Sequence, residues 1–516
     1  MTNDNTPWRW TCHPSQIAAN IASLTTVDVC VVGSGIAGLT TAYALACAGR
    51  SVVVLEAHGI GSGETAHTSA HLASALDDRF TALERLHGLT GSRLAAQSHA
   101  AAIDFIERLV GERRINCEFS RVDGFLFTTA GDGSGLEDEF AAATRAGLPV
   151  EQIAGVPGAE SWSGPALRFP RQARFDPMAY LQGLVEAALA VGVRLFPHTR
   201  VARITDGPLV EVETIGGHVL KASTVVVATN VPINDRLLLQ TKLAAYRTYV
   251  LAVRIPPGAF PDALVWDDGH PYHYLRLIPD ADGTGPLLLI GGEDHKTGQN
   301  PEDPNEPYRH LERWLRERMP AAGEIIHAWS GQIIEPVDSL AYIGRNPGGT
   351  NVYVATGDSG NGLTHGTLAG LLITDLVCGI PNAWEELYRP SRITLKAAVE
   401  YAGRNTDTLR QYADWLATLG GAPDAEIPRG GGATRWEGLQ PVAIHRDEAG
   451  HLHTCSAVCP HLGGLVRWNA TEKTWDCPCH GSRFSSDGTV LNGPANKDLA
   501  PLADSHGDMP SLVVQN

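Results

Sequence analysis

A glycine-rich turn near the N-terminus constrains the fold more than any other feature of this sequence. Residues 28–33 form an apolar run that predicts a buried strand, and Gly33-Ser-Gly35-Ile-Ala-Gly38 follows it directly. An apolar helix is expected next, and then a second strand from Ser51 to Glu56. A strand, a glycine turn, a helix and a strand in this order form a βαβ unit, which predicts an α/β domain built on a parallel sheet.

The spacing of the three glycines suits the pyrophosphate of a dinucleotide. Gly33 permits the tight turn, Gly35 lets the pyrophosphate approach the backbone, and Gly38 lets the helix pack on the strand. Glu56, 18 residues after Gly38, is placed to accept hydrogen bonds from the ribose hydroxyls. A chance structural turn is the alternative, but the strand, helix and acidic residue in register favour a site for FAD or NAD.

Three further features separate FAD from NAD. A loop of small residues at 59–69 follows Glu56 and suits a long cofactor lying along it. Residues 224–230 form a strand that ends in a small-residue turn. Residues 354–366 form a strand, a glycine loop and a helix N-terminus, which could stabilise negative charge on a flavin ring. We find no second nucleotide motif for NAD(P)H in the sequence, which weakens an interpretation as a nicotinamide-driven reductase.

Over about residues 25–390, these motifs resemble those of the D-amino-acid-oxidase-like (glycine/sarcosine oxidase) superfamily of FAD enzymes. The resemblance implies an α/β FAD-binding Rossmann-type domain, an antiparallel-sheet substrate domain and FAD-dependent oxidoreductase activity. It also implies that the two glycine-rich loops contact the cofactor. The implied FAD contacts are Gly33, Gly35, Gly38, Glu56, Ser62, Gly357 and Gly362.

The loop at 63–69 also resembles the stretch in dimethylglycine-dehydrogenase-like relatives in which a histidine is bonded to the flavin ring. That resemblance implies a covalent tether through His67, although Ala66 stands where a tryptophan usually precedes the histidine. The alternative is that His67 only contacts a non-covalent flavin or caps the loop.

Two short loops near the C-terminus each combine a cysteine with a histidine. Residues 459–464 read Cys-Pro-His-Leu-Gly-Gly, and residues 477–482 read Cys-Pro-Cys-His-Gly-Ser. A Rieske [2Fe–2S] centre needs two thiolates on one iron and two imidazoles on the other, which such loops supply. Zinc is the competing metal, but zinc fingers usually pair like ligands with like. The region of about 90 residues resembles Rieske ferredoxins, which implies Cys459, His461, Cys477 and His480 as cluster ligands.

The two loops and the residues that follow them depart from the pattern of the high-potential respiratory Rieske proteins. Those proteins carry a disulfide between the two loops, whereas Gly464 stands at one partner's position and leaves Cys479 unpaired. Ser482 can donate a hydrogen bond to a cluster sulfur, but Phe484 replaces a tyrosine that would add another. Fewer donors stabilise the reduced cluster less, so we expect a lower potential.

The chain is expected to contain three domains, two of them discontinuous, because 516 residues are too many for one core. The last is a small all-β Rieske domain. The predicted boundaries are 1–110, 176–244 and 326–395 for the FAD-binding domain, 111–175 and 245–325 for the substrate domain, 396–424 for a helical linker, and 425–516 for the Rieske domain.

By analogy with the superfamily, residues 245–295 should cover the reactive face of the flavin. Alternation along the strand places Tyr272, Tyr274 and Arg276 on one face, where they could hold a substrate carboxylate. A sheet surface with an ordinary salt bridge is the alternative. Weaker candidates are Arg247, Tyr249, His295 and Lys296.

The favoured function is oxidation of a small amine or amino-acid-like substrate at FAD. Electrons then pass singly through the cluster to an external acceptor, which is a protein, a quinone or O₂. One alternative is an electron-transfer component or reductase in which a partner protein supplies or receives the electrons. Another treats the Rieske domain as an inert interaction module, although its intact ligand set argues against that.

Charge and composition restrict the partners and the compartment. The formal net charge of −17 argues against nucleic acid or an anionic membrane as a partner. We find neither an apolar run of about 18 residues, as a membrane span needs, nor a secretion signal. The nine cysteines do not form a disulfide-like pattern, because four of them cluster in the C-terminal region. These features predict a cytoplasmic protein.

Overall fold

The computed structural model divides into two compact units. The first contains residues up to His295 together with Asn305–Tyr401, and the second contains Lys296–Pro304 together with the chain from Ala402 onward. The predicted boundary near residue 424 lies outside the described part of the chain. The described residues are 6–10, 21–129, 133–159, 162–234, 238–280, 283–299, 301, 303–417 and 426–502.

The helices and strands alternate along the first unit before a long antiparallel region. The strands are β1 Thr26–Val32, β2 Val52–Leu55, β3 His71–Leu72, β4 Ser120–Phe127, β5 Glu151–Ile153, β6 Ala166–Arg174, β7 Arg194–Phe196, β8 Val201–Thr205, β9 Val210–Thr214, β10 Val219–Val227, β11 Leu243–Arg254, β12 Ala263–Asp267, β13 His273–Ile278, β14 Leu287–Lys296, β15 Ile325–Pro336, β16 Tyr342–Arg345 and β17 Val352–Thr356. The helices are α1 Ile36–Cys47, α2 Phe80–Arg113, α3 Ser134–Ala146, α4 Pro177–Ala190, α5 Glu306–Arg318, α6 Gly362–Cys378 and α7 Glu385–Tyr388.

The first sheet has the order β16-β17-β10-β1-β2-β7, with β9 paired to β10 and β8 paired to β9. Strand β1 is parallel to both β2 and β10, and β10 is parallel to β17. Successive residues of β1 face opposite sides. Val29 and Val31 join a core with the helices, whereas Cys30 and Val32 join a core with β8 and β9. Burial on both faces explains the unbroken apolar run, and the predicted α/β domain is confirmed.

The second sheet has the order β15-β11-β14-β13-β12-β4-β6-β3, with β5 on β6. The pairs β11–β15, β12–β13, β13–β14, β3–β6, β4–β6 and β5–β6 are antiparallel, and β4–β12 is parallel. Strands β11 and β15 are twelve residues long each and pair along nearly their whole length. One face packs with helix α5 around a separate apolar core, and the other face joins the core of the first sheet. This is the predicted antiparallel-sheet domain.

The second unit contains two small antiparallel sheets and most of one helix. The helix is α8 Ala398–Ala417, and its residues from Ala402 onward belong to this unit. The sheets are β18 Gly432–Glu437, β19 Gln440–Arg446 and β20 Leu452–Ser456 in one, and β21 Arg467–Asn469, β22 Thr474–Asp476, β23 Arg483–Ser485 and β24 Val490–Asn492 in the other. Within the described ranges, no helix combines the length and the apolar character that a membrane crossing requires.

Candidate functional site

The glycine turn between β1 and α1 is shaped by close backbone contacts. Gly33 has a φ of +106°, and a Cβ there would lie 2.4 Å from the carbonyl oxygen of Ala228. A Cβ on Gly38 would lie 2.0 Å from the carbonyl oxygen of Gly33. Around Gly35, by contrast, a Cβ would approach only Thr65 Oγ1, at 3.2 Å. The turn therefore leaves room at the N-terminus of α1, which fits the pyrophosphate of FAD.

Glu56 follows the end of β2 with its carboxylate held in place. Its Oε2 accepts hydrogen bonds from the amide and the hydroxyl of Ser34, at 2.9 and 2.7 Å. Its Oε1 accepts one from the amide of His58 at 2.9 Å. The side chain is thus fixed beside the glycine turn, and its role at the ribose remains a prediction.

The loop after Glu56 brings a hydroxyl to the glycine turn, but not the predicted one. Ser62 is exposed and donates to the carbonyl oxygen of Gly59 at 2.7 Å. Thr65 Oγ1 instead accepts from the amide of Ile36, in the first turn of α1, at 3.2 Å. The sequence analysis missed Thr65, because several hydroxyl residues in this loop are equivalent by composition.

His67 ends a short 3₁₀ helix, Glu64–His67, in the same loop. Its carbonyl oxygen accepts a hydrogen bond from Trp329 Nε1 at 2.9 Å, which anchors the loop to β15. Among the described residues, the buried Nδ1 atom of its ring has no hydrogen-bond partner. This nitrogen is available to a group that the polypeptide does not itself supply.

The late glycine loop joins β17 to α6. Gly357 has a φ of +77°, and a Cβ on Gly362 would lie 2.8 Å from Asp358 Oδ2. Asp358 accepts from the amide of Ile334 at 2.8 Å, and burial raises its pKa to about 6. The loop is thus tied to β15 and leads directly into the N-terminus of α6, the arrangement predicted for a flavin contact.

Two of the three predicted substrate-binding residues, Tyr272 and Tyr274, lie next to each other. The third, Arg276, is bound by backbone carbonyl oxygens. Tyr274 Oη lies 3.0 Å from Thr248 Oγ1, and the rings of Tyr272 and Tyr274 are 5.9 Å apart. Arg276 is buried, and its Nη1 donates to the carbonyl oxygens of Ala70 and Phe175, at 2.6 and 3.1 Å. These contacts favour a structural role for Arg276 over the predicted binding of a carboxylate.

Two aspartates that the sequence analysis missed lie beside these tyrosines. Asp294 of β14 lies near the side chains of Thr248 and Tyr272, and burial raises its pKa to about 6. Asp77 lies between β3 and α2, where burial, and to a lesser degree the charges of Asp78 and then Asp294, raise its pKa to about 7. We call Asp77, Asp294, Thr248, Tyr272 and Tyr274 the acidic cluster.

Asp77 combines solvent exposure with an electrostatically enclosed position. Its side chain is accessible to solvent, although burial is the main cause of its raised pKa. A carboxylate in the wall of a cleft has both properties, because water reaches it on one side while protein surrounds it on the others. The late glycine loop lies close by, because a Cβ on Gly360 would be 2.4 Å from Asp77 Oδ2. An isolated aspartate in a loop gives no sequence signal for such a position.

The weaker candidates have contacts of their own. Arg247 donates to the hydroxyl of Ser330, and the rings of Tyr249 and His295 stack at 5.5 Å. Lys296 forms an ion pair with Asp407 at 2.7 Å. None of these contacts favours a substrate role for these side chains.

In the second unit, the two cysteine–histidine loops have the same backbone design. In each loop, 459–464 and 477–482, the amide of the first residue donates to the carbonyl of the sixth at 2.8 Å. The amide of the fifth residue donates back to the carbonyl of the first at 3.0 Å. That fifth residue is Gly463 or Gly481, with a φ of +79° or +78°. We refer to these segments as the first and second cluster loops.

The four predicted ligands form one pair of thiols and one pair of imidazoles. Cys459 and Cys477 are buried, and their thiol groups are near each other. The rings of His461 and His480 are 4.9 Å apart and nearly perpendicular. In the described part of the chain, we find no group of three or more His, Cys, Asp or Glu side chains placed around a single metal ion. A Rieske cluster needs two thiolates for one iron and two imidazoles for the other, and the cysteine pair and the histidine pair fit this donor set.

The residues around the two thiols are those expected from the sequence, with Gly464 in place of a cysteine and Phe484 in place of a tyrosine. A Cβ on Gly464 would lie 2.6 Å from Cys479 Sγ. Ser482 is buried, accepts a hydrogen bond from the amide of Ala495 at 3.0 Å, and reaches the Cys459 thiol. Phe484 is fully buried in the apolar core of this unit and has no hydroxyl to donate.

Two family models match the chain, and so do curated relatives, two of which are described below. The family of FAD dependent oxidoreductases (DAO) matches residues 28–376, and the Rieske [2Fe-2S] domain matches residues 422–503. YhfW of Bacillus subtilis (strain 168), named as a Rieske 2Fe-2S iron-sulfur protein, is 33% identical over 482 residues, which cover 93% of this chain and 94% of that protein. The gamma-glutamylputrescine oxidoreductase of Escherichia coli (strain K12) is 26% identical over 372 residues, 69% of this chain and 84% of that protein.

A solved structure agrees with the fold of the first unit. The glycine oxidase from Geobacillus kaustophilus superposes with a TM-score of 0.61 at 22% identity, over 72% of this chain and 99% of that chain. At this identity the likeness establishes the fold alone. The predicted resemblances to an FAD oxidoreductase and to a Rieske domain are both confirmed.

Proposed function

Because the chain belongs to the DAO family of FAD-dependent oxidoreductases and carries a C-terminal Rieske [2Fe–2S] domain, we propose that it oxidises a small amine at FAD and passes the electrons through the cluster to an external acceptor. The observation that carries this proposal is the presence of both donor sets in one chain. The glycine turn leaves room for a pyrophosphate, and all four cluster ligands are paired.

The two cofactors supply complementary redox chemistry, since FAD takes a hydride and the cluster carries one electron at a time. The amine loses a hydride from carbon and a proton from nitrogen and becomes an imine. Two electrons and two protons leave the substrate in total, so the acceptor must be reduced twice by one electron or once by two. A redox protein, a quinone and O₂ all satisfy this balance.

The acidic cluster supports a cationic substrate. Two carboxyl groups, Asp77 and Asp294, meet beside two tyrosines in the antiparallel-sheet domain. The arginine that would bind a substrate carboxylate is engaged by backbone carbonyls instead. Carboxylates in an enclosed site attract an ammonium group and repel a carboxylate. We therefore favour an amine that carries a positive charge away from the reacting carbon over an α-amino acid.

Anaerobic mixing of the full-length protein with a panel of mono-, di- and amino-acid amines tests the proposal. A substrate should bleach the flavin absorbance and then produce the EPR signal of a reduced Rieske cluster. In Cys477→Ala, bleaching should persist while turnover with a one-electron acceptor is lost. If no amine bleaches the flavin but a reduced redox protein does, the chain is an electron-transfer component and the proposal is wrong.

We also propose a cytoplasmic location. Apart from the cluster ligands Cys459 and Cys477, the cysteines in the described residues are free thiols, and Cys30, Cys117 and Cys455 among them are buried. Reduced thiols are typical of a reducing compartment. Cell fractionation with a tagged full-length protein tests this location.

A further inference from the structure

Two segments outside the Rieske family match belong to the same compact unit as the cluster loops. The family match begins at residue 422. Helix α8, from Ala402 onward, and the segment Lys296–Pro304 nevertheless group with it. Both segments contact the cluster loops directly, so the cluster site extends beyond the Rieske domain itself.

Helix α8 contacts both loops from one face. Tyr412 Oη donates to the carbonyl oxygen of Leu462, the residue after the ligand His461, at 3.0 Å. Thr408 Oγ1 bonds within the helix to Arg404 and also lies 3.5 Å from the carbonyl oxygen of Cys479. Residues four apart share a helix face, so one turn of α8 touches the first loop through Tyr412 and the second through Thr408.

Residues 296–299, at the start of this segment, contact the second loop and are hydrogen-bonded to the helix. A Cβ on Gly298 would lie 2.7 Å from the backbone nitrogen of Pro478, so the two backbones are in direct contact. Lys296 Nζ and Gln299 Nε2 both donate to Asp407 Oδ2 on α8, at 2.7 and 2.9 Å.

Arg467 adds a connection from the Rieske domain to both segments. Its Nη1 donates to the carbonyl oxygen of Gly298 at 3.2 Å, and its Nη2 donates to Gln411 Oε1 at 3.0 Å. The helix, the segment and the domain are therefore linked in a closed set of contacts around the cluster loops.

We propose that α8 and the residues 296–299 form a clasp that holds the two cluster loops together in place of the inter-loop disulfide. Gly464 leaves the loops without a disulfide between them, and the clasp supplies non-covalent contacts instead. Tyr412 is the positioning residue of the clasp, because its hydroxyl fixes the carbonyl next to a ligand. A fixed loop geometry controls solvent access and the hydrogen bonds to the cluster, and therefore its retention and its potential.

The test uses Tyr412→Phe in the full-length protein, with the exposed Tyr401→Phe on the same helix as the matched control. Loss of one hydrogen bond should accelerate cluster loss to a chelator about fivefold, which corresponds to about 1 kcal/mol. The midpoint potential of the cluster should also shift, while flavin absorbance stays at the wild-type level. Asp407→Asn, which weakens the link to the segment, should act in the same direction.

Rescue by a covalent link separates a clasp from a general effect on folding. In the double variant Tyr412→Phe/Gly464→Cys, an oxidised link between the introduced thiol and Cys479 should return cluster loss to the wild-type rate, and reduction of that link should remove the rescue. Wild-type cluster loss and potential in Tyr412→Phe would overturn the proposal. A defect that the disulfide does not restore would also overturn it, since Tyr412 would then not act by holding the loops together. These readouts do not depend on the substrate, so they are independent of the proposed amine oxidation.

Discussion

Gly464 lies against Cys479 at nearly the spacing of a disulfide. A Cβ on Gly464 would be 2.6 Å from Cys479 Sγ and 3.4 Å from its Cβ. Disulfides usually hold their Cβ atoms about 3.5–4.5 Å apart, so a small backbone adjustment would suffice. The cluster loops therefore approach each other as a disulfide-linked pair would, although this chain lacks one of the two cysteines.

We predict that Gly464→Cys forms a disulfide with Cys479 in the wild-type background. After mild oxidation, mass spectrometry of the unfolded protein should show one linked peptide pair and two fewer thiols open to alkylation. Gly464→Ser is the control, since it adds a side chain of similar size that cannot cross-link. Full alkylation of both cysteines after oxidation would show that the loops are farther apart than this structure has them.

Removal of a cluster ligand should leave the flavin untouched, because the two sites belong to separate compact units. His461→Ala or Cys477→Ala should abolish the Rieske EPR signal while FAD absorbance remains at one per chain. Cys455→Ala is the control, because Cys455 is buried in the same unit but lies outside both cluster loops. Stoichiometric zinc in the purified protein, or a normal signal in either ligand variant, would contradict the assignment.

The cluster should titrate in the lower part of the Rieske range, which spans roughly −150 to +300 mV. The amide of Ala495 donates to Ser482 Oγ, which leaves the hydroxyl proton of Ser482 free to point at sulfur. Phe484 supplies no second donor. Ser482→Ala should therefore lower the potential further, as EPR-monitored redox titration would show. A wild-type potential near the upper limit of this range would contradict the prediction, since backbone donors would then be sufficient to stabilise the reduced cluster.

The acidic cluster should impose a pH dependence on cationic substrates. Burial raises the pKa of Asp294 to about 6 and that of Asp77 to about 7, and Glu293 also raises the pKa of Asp294. Both carboxyl groups are protonated below these values and lose their attraction for an ammonium group. The kcat/KM for a cationic amine should thus rise between about pH 5 and pH 8, and Asp294→Asn should flatten the lower part of the rise.

The free energy of unfolding should fall with rising pH over the range in which Asp294 ionises, whereas kcat/KM should rise. Folding raises the pKa of Asp294 above its ordinary value of 3.8, so the folded protein holds this proton more tightly than the unfolded chain does. The free energy of unfolding that this group contributes should fall as the pH rises from about 4 to about 6. Thermal unfolding of Asp294→Asn should lack that part of the decrease, and an unchanged profile would contradict the raised pKa.

Sites whose residues lie close together in the sequence could be predicted from the sequence alone. The glycine turn at Gly33 needs only neighbouring residues, and the cluster loops carry their ligands within six residues each. The acidic cluster could not be predicted, because Asp77 and Asp294 meet only when the antiparallel-sheet domain folds. The role of Arg276 could not be predicted either. The alternation of side chains along a strand places it on the same face as Tyr274, but its hydrogen bonds to the carbonyl oxygens of Ala70 and Phe175 depend on the folded structure. The contact of Tyr412 with Leu462 likewise joins residues 50 positions apart.

The environment of His67 gives the covalent-tether hypothesis a sharper test. Its carbonyl oxygen is fixed by Trp329, and its buried ring Nδ1 has no hydrogen-bond partner in the described residues. An anchored backbone with an unsatisfied ring nitrogen suits either a bond to the flavin or a hydrogen bond with it. A tether predicts that FAD stays with the protein after acid precipitation, and that His67→Ala releases it to the supernatant. Trp329→Phe, which removes the anchor but keeps the imidazole, should retain the label if the bond forms. A colourless pellet from the wild-type protein would show that His67 makes at most a non-covalent contact.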